Sequence, residues 1–576
     1  MKFISQLKLL CKVSPKGVVF TTLTALVSSF EASILALATI EVVDAVKSDE
    51  GLHKLAMWII IIMIYFLFKA MLSALNQVAL NGWLFEESNA NLKVLVNEKI
   101  GKMSLLHFEE AGFLDDLEKA TEVVECEKLP LLYYRVLQIG QNVVSVVLLL
   151  SLLMNYHKLL CFCLVIIAIP IFLTKSIRGN AMFQCKIQQA NENRRLKEYR
   201  SWFLNPRMNK ELRATNSDGY ILSRWKEIDQ KHRYEVARLK KKDAASAFLC
   251  QVLRTCVMIG VTLFTVNLGV KGEVSAAVVS GALIAFFSAQ NEVTSLFEKM
   301  GSLTELFKMN EVLIDFLREN KADRKYNSIE SIEKISLKDV HFSYPNAEGE
   351  AIQGINLTIG MSERIAVVGV NGSGKTTLGK LLLGIYEVTK GEININGTNI
   401  NTIDKKSFWK KVAMVPQVIP RFKCAVKDYL FLETKEYNEE AIMNVMDKSG
   451  LPLVRELGLD KRLGAEFDGV ELSGGQWQSL LISAAWIKNA DLYVLDEATS
   501  AIDPLKESEI LSNFLDMTKG RMAMIITHRL SICPWVDRII YLDKGKIIEE
   551  GTHDELMKLR GAYYEMYSSQ AKNQCI

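Results

Sequence analysis

Gly369-Val370-Asn371-Gly372-Ser373-Gly374-Lys375-Thr376 matches GxxxxGK[ST] in full. It follows the apolar run RIAVV and opens the helix-forming run TTLGKLLLGIY, which Thr377 joins. That order of strand, loop and helix is the one a phosphate-binding loop needs. The glycines let backbone N–H groups close around phosphates, Lys375 neutralises their charge, and the Thr376 hydroxyl is placed to ligate Mg2+. LYVLDE, Leu492–Glu497, reads as a buried strand ending in two carboxylates. Asp496 at its tip suits Mg2+, directly or through water. Glu497, one residue on, points elsewhere and suits a general base that polarises water. Gln417 after VAMVP and His528 after IIT each end a further strand, the first placed to sense Mg2+ and water, the second to contact the terminal phosphate. Tyr344 in HFSYP is a candidate to stack on a nucleotide base.

A second stretch of phosphate-binding character, Leu472-Ser473-Gly474-Gly475-Gln476, lies far downstream of the first and also opens a helix. Helix N-termini attract phosphate. One chain therefore carries two grips.

Both must be positioned by an α/β domain. From about residue 330, short β-rich runs alternate with helical stretches, predicting a domain over 330–576 with a largely parallel core sheet. The preceding 1–320 are different. Hydrophobic residues make up 49% of the 576-residue chain, mean hydropathy is +0.13, and nearly all long apolar runs lie in this part. Six runs, near 17–45, 55–82, 131–154, 158–177, 245–270 and 274–297, reach the length of about 20 residues that crosses a bilayer. Trp58 and Trp83 flank the second, as interfacial rings do. The first run is too long for a signal peptide, and no small-residue cleavage site follows it.

Lys2, Lys8, Lys12 and Lys16 precede the first span, and the basic loop 178–242 ends in Lys240-Lys241-Lys242. The positive-inside rule then puts the N-terminus, the long loops and the second domain in the cytoplasm. The two inner segments are polar and helix-forming, so the spanning helices are expected to continue beyond the bilayer and bend at Phe108–Ala120 and at Trp202–Ala214, where Pro206 favours a break after Asn205. Such bends are placed to touch the second domain. Glu31, Lys69, Arg254 and Glu292 lie within the spans. Intramembrane charges pair with one another or face a polar substrate, and both readings stand. Net charge is +3, which implies no nucleic-acid partner. The ten cysteines form no CxxC pair and no secreted disulfide framework.

Tyr344, GVNGSGKT, Gln417, LSGGQ, LYVLDE, Ser500-Ala501-Ile502-Asp503 and His528, in that order, resemble the ATP-binding cassette (ABC) transporters, with LSGGQ their own signature. Six spans before one cassette resemble an exporter half-transporter. The resemblance implies a multi-domain fold: an all-α six-helix transmembrane domain followed by an α/β P-loop NTPase nucleotide-binding domain. It implies ATP and Mg2+ as cofactors, and two cassettes packed head-to-tail with exchanged helices. Ser473, Gly474 and Gly475 of one copy then cap the γ-phosphate held by the other, the helix from Gln476 aims its dipole there, and Asp503 ties the two sites together. A second copy of the chain is the simplest partner and a related chain the alternative. Two departures stand out: Ala484 in SLLISAAW occupies a position where Arg is common, and LGAEFDGVE lacks the TxVGExG pattern of many exporters.

LSGGQWQ with Trp477, LGAEFDG, and NPRMNKELRATNSDGYILSRW resemble bacterial exporters of lanthipeptides and related modified peptides. The expected function is ATP-driven peptide export across a bacterial cytoplasmic membrane by alternating access. The short stretch ahead of the first span leaves no room for the cysteine-protease domain of some peptide exporters, so any leader removal is expected elsewhere. A lipid, glycolipid or drug exporter of the same architecture is the alternative, and an ATP-gated channel or sensor is a second one.

Overall fold

The structure is a computed structural model that describes residues 2–47, 51–318, 326–345, 347–431, 458–497 and 504–574. It divides into two units, Met1–Lys102 with Asp115–Glu319, and Met103–Leu114 with Asn320–Ile576.

The first unit is helical. Among the described residues, six helical segments are long and apolar enough to span a membrane: Pro15–Val46, Leu55–Ile100, Lys128–Tyr156, Lys158–Lys175, Asp218–Val270 and Ala276–Arg318. Helix Asp218–Val270 has 53 residues. At about 1.5 Å per residue it is more than twice as long as the roughly 30 Å hydrocarbon layer is thick. Spanning helices therefore continue well beyond the bilayer, as the polar inner segments require. Water cannot drive apolar helices together inside lipid, so close approach of small residues matters there. Ala277, Gly281, Ala285 and Ala289 recur every fourth residue on helix Ala276–Arg318, all buried. Ala282, Ala285, Phe286 and Ala289 pack with Leu149, Leu153, Leu164 and Met258 in the core of this unit. Lys69 Nζ forms an ion pair with the Glu31 carboxylate between the first two spans. The second span passes through a nine-residue π-helix, Ala79–Glu87, and continues as helix Ser88–Ile100. Ser14 Oγ donates to the Trp83 carbonyl there at 2.7 Å.

The expected break after Asn205 is present. Helix Ala190–Leu204 stops, Pro206 begins helix Pro206–Ala214, and Asn205 Oδ1 caps it by accepting from the Arg207 and Met208 N–H groups at 3.0 and 3.3 Å. Proline lacks the N–H that a continuing helix would use and tolerates this first position.

Among its described residues the second unit contains two sheets. Strands β1 (Lys334–Phe342), β2 (Ile352–Gly360), β4 (Lys390–Ile395) and β5 (Thr398–Asn399) form an antiparallel sheet in the order β2-β1-β4-β5. Strands β3 (Arg364–Val368), β6 (Val412–Val415), β7 (Leu492–Asp496), β8 (Met522–Ile526), β9 (Arg538–Asp543) and β10 (Lys546–Gly551) form a six-stranded sheet, β10-β9-β3-β8-β7-β6. Only β10 runs antiparallel to its neighbour in it. Alternate residues of its central strands feed two cores. Ile365, Val367, Leu492, Val494, Met524 and Ile526 meet helix Lys375–Leu382 on one face. Ala366, Val368, Tyr493, Leu495, Ala523 and Ile525 meet helix Gly474–Ile487 on the other. Both faces are covered, which is why these strands read as unbroken apolar runs. The carboxyl ends of β3, β6, β7 and β8 share one edge, and each is followed by one of the candidate functional residues.

Candidate nucleotide site

The loop after β3 turns sharply at Gly369, whose φ is +149°. A Cβ there would sit 2.1 Å from the Leu542 carbonyl oxygen, so only glycine fits. Ser373 is buried and its Oγ has no hydrogen-bond partner, a polar atom left over inside the cradle. Asn371 and Gly372 are exposed at its tip. Gly374 caps helix Lys375–Leu382. Lys375 is buried and donates to the carbonyls of Gly369 and Val370 at 3.0 and 2.9 Å. Burial pushes its ammonium below the ordinary lysine range, against the pull of the Glu497 and Asp496 carboxylates. A free cradle with a buried cation, an unpartnered hydroxyl and a helix N-terminus fits a polyphosphate.

Asp496 at the end of β7 is 2% exposed and accepts from Thr376 Oγ1 at 3.1 Å. Burial raises its pKa, and the Thr376 hydroxyl opposes the rise. The two side chains set hard oxygen atoms together, the donor type Mg2+ takes. Among the described residues no cluster of three or more His, Cys, Asp or Glu could hold a metal alone.

Glu497 follows, with φ +46°, a left-handed conformation unusual outside glycine. One carboxylate oxygen forms an ion pair with His528 Nε2, and the other accepts from Gln417 Nε2 at 2.6 Å. The residues expected from three separate strand ends thus converge on one carboxylate. The chain turn sends Asp496 towards Thr376 and Glu497 towards Gln417 and His528.

Tyr344 bonds Thr377 Oγ1 through its hydroxyl at 3.1 Å. Its ring stands edge-on to Phe342 and Tyr386, with centroids 5.0 and 5.7 Å away. Tyr386 was not legible as part of this cluster. The only signal was an aromatic residue closing the run TTLGKLLLGIY.

The second grip is formed by a capping box. Ser473 Oγ accepts from the Gln476 N–H at 3.3 Å, and Gln476 Oε1 accepts from the Ser473 N–H at 2.8 Å. Ser473 is exposed, with Gly474 and Gly475 beside it at the helix start. Trp477 is 1% exposed and lies 5.5 Å from the Tyr429 ring. Ala484 packs against the same core. Asp503 lies outside the described residues.

Residues 352–500 match the family model for ABC transporters. The chain is 29% identical over 499 residues to the subtilin transport ATP-binding protein of Bacillus subtilis, covering 83% of this chain and 79% of that one. It is 24% identical over 537 residues to the nisin transport ATP-binding protein of Lactococcus lactis subsp. lactis, covering 88% and 87%. An ATP-dependent lipid A-core flippase of Methylobacillus flagellatus is 31% identical over 357 residues, covering 61% and 60%. A bacterial Atm1-family ABC exporter, solved with ATP bound, superposes with a TM-score of 0.83 over 97% of this chain and 98% of that one, at 18% identity, which defines the fold.

Fold and site together define a multi-pass membrane protein with the ABC exporter fold. The match of residues 352–500 to the ABC transporter model implies an ATPase coupled to transport.

Proposed function

We propose that the chain exports a peptide out of a bacterial cytoplasm, as a head-to-tail homodimer with its N-terminus and cassette on the cytoplasmic side. The observation that carries the peptide reading is coverage. The likeness to the subtilin and nisin transport proteins runs through 83% and 88% of this chain, membrane helices included, whereas the flippase match covers 61%.

In this reading the loop Gly369–Thr377 cradles the phosphates of ATP, and Tyr344 stacks on the adenine. Lys375 releases the Gly369 and Val370 carbonyls and turns to phosphate charge. Thr376, Asp496 and Gln417 would hold Mg2+, which would supply charge neutralisation at the phosphates. Glu497 orients and deprotonates the attacking water, with Gln417 and His528 fixing its carboxylate. Ser473, Gly474, Gly475 and Gln476 close the site of the second copy, and Asp503 links the two. ATP binding then favours one state of the helical unit and hydrolysis the other, so the free energy enters as differential affinity.

The test compares the native producer with one carrying Glu497→Gln. That change keeps the shape of the carboxylate and removes its basicity. Mass spectrometry of medium and cells should show a peptide that vanishes from the medium and accumulates inside. An unchanged peptide profile with lipids shifted instead would replace the peptide with a lipid substrate.

A further inference from the structure

Beyond β8 the chain leaves its sheet. The Thr527 N–H donates to the Val367 carbonyl at 3.3 Å, and the Arg529 N–H donates to Thr527 Oγ1 at 2.9 Å. A short helix, Leu530–Trp535, then begins. His528 sits in this turn, outside any strand, and its ring must still meet the Glu497 carboxylate.

The turn is held from far along the chain. Gln570 Nε2 donates to the His528 carbonyl at 2.6 Å, and Gln570 Oε1 accepts from the Leu530 N–H at 3.2 Å. One carboxamide thus bridges the residues on either side of Arg529, doing for this turn what a neighbouring peptide unit does in a ladder. The two bonds also settle the orientation of the amide, since the reverse would set oxygen against oxygen and N–H against N–H. The pattern needs a donor and an acceptor on one side chain. A carboxylate only accepts, and a methionine of similar length has no donor.

Gln570 is itself fixed. It lies on helix Ala562–Gln574, whose first N–H groups, those of Ala562 and Tyr563, donate to the Glu549 carboxylate of β10 at 2.5 and 3.0 Å. Tyr563 is buried in the core that also takes Leu530 and Ile532, and its hydroxyl bonds His553 Nδ1 at 2.7 Å. Gln570 follows about two turns later on the same face of the helix.

We infer that Gln570 is a positioning residue for ATP hydrolysis, clamping the His528 backbone so that the ring reaches both the Glu497 carboxylate and the terminal phosphate. The inference rests on the reading of His528 given above. It brings helix Ala562–Gln574, which lies beyond every motif of the site in sequence, into the nucleotide site without any contact to nucleotide.

The experiment measures ATPase kinetics of the full chain in detergent for Gln570→Met, Gln570→Glu, His528→Ala, and Gln570→Met combined with His528→Ala. Gln570→Met keeps the length of the side chain and removes both bonds. It should lower kcat about tenfold, leave KM for ATP within about twofold, and add nothing to the loss in His528→Ala, because the two residues act as one unit. Gln570→Glu tests the bond pattern. Ionised, it sets a second acceptor against the His528 carbonyl; protonated, it donates through O–H and accepts through C=O as the amide does. Each activity is taken as a ratio to wild type at the same pH, so that titration of His528 and Glu497 cancels. The Gln570→Glu ratio should climb several-fold from about pH 8 to about pH 6, while the Gln570→Met ratio stays flat. A merely structural tie would lower kcat by the same factor with and without His528 and give no recovery in acid, which overturns the inference. Wild-type activity in His528→Ala would overturn the reading of His528 itself, and the inference with it.

Discussion

Glu497 shows how a single residue can be held ready. Its backbone is left-handed, a conformation that costs a non-glycine residue roughly 1–2 kcal/mol. His528 and Gln417 hold both carboxylate oxygens. Strain of this kind persists where surrounding bonds over-determine it. Gly369 shows the converse, a residue chosen for what it lacks. Gly369→Ala would drive a methyl group onto the Leu542 carbonyl and toward Ser373 Oγ, 2.1 and 3.0 Å away. The phosphate loop would have to move, and we expect a loss of about 2–4 kcal/mol together with nucleotide binding. Gly372→Ala, at φ +78° with nothing within 4 Å, should cost only about 1 kcal/mol in backbone strain. Thermal unfolding and nucleotide titration of the two variants check the contrast. Equal effects would mean that close approach at Leu542 is not what Gly369 serves.

Among the elements, β3 and β9 carry the phosphate loop and its backing residue Leu542. They are fastened at their starts by Arg364 and Asp537. The guanidinium reaches both carboxylate oxygens at 3.1 and 3.0 Å, and the Arg364 N–H adds a third bond at 2.8 Å. These bonds hold Asp537 below the usual carboxylate range. A lowered carboxylate contributes stability that is fully present above its unfolded pKa of about 3.9 and is lost as pH falls through the folded value. Asp537→Asn should therefore cost about 1 kcal/mol at neutral pH, a figure reduced because the carboxylate is half exposed to solvent. The difference in Tm between wild type and variant should hold from pH 7 to 5 and close below about pH 4. A gap that persists in acid would assign the effect to packing rather than charge.

The elements also show what a sequence reveals. The six spans were legible because lipid demands long apolar runs, and the loop at Gly369 because phosphate demands that spacing. The break at Asn205-Pro206 was legible because proline has no N–H to give. RIIYLDKGKII reads as one run but folds as the hairpin β9–β10, since Lys544-Gly545 supplies two left-handed residues for a tight turn. The antiparallel sheet was only partly visible, through β1. In β2 the alternation is confined to Ile355–Ile359, with Ile355, Leu357 and Ile359 buried, and β4 opens on exposed Lys390 and Gly391 before its three buried residues. The bond from the Tyr386 hydroxyl to Glu109 Oε1, at 2.6 Å, left no trace, because periodicity speaks of neighbours in sequence and these residues are 277 positions apart.

At the scale of the whole molecule, the second grip acts through the helix that it opens. The side chains of Ser473 and Gln476 close on each other and leave the helix N-terminus presented outward, on an exposed cap. An N-terminus costs little to leave in water and gains by meeting an anion. A head-to-tail pair of copies gives it one, the terminal phosphate in the other copy's loop, and predicts that exposed Asn371 of one chain nears exposed Glu471 of the other. We would place cysteine at each position on separate chains, both carrying Glu497→Gln so that bound ATP persists, and treat the mixture with a short bis-maleimide. Mg2+ and ATP should raise a two-chain adduct in the mixture above the level of either chain alone, which measures the background from the native cysteines. If a different polypeptide supplies the second grip, the mixture will not exceed those controls, and the homodimer gives way to a pairing with a related chain.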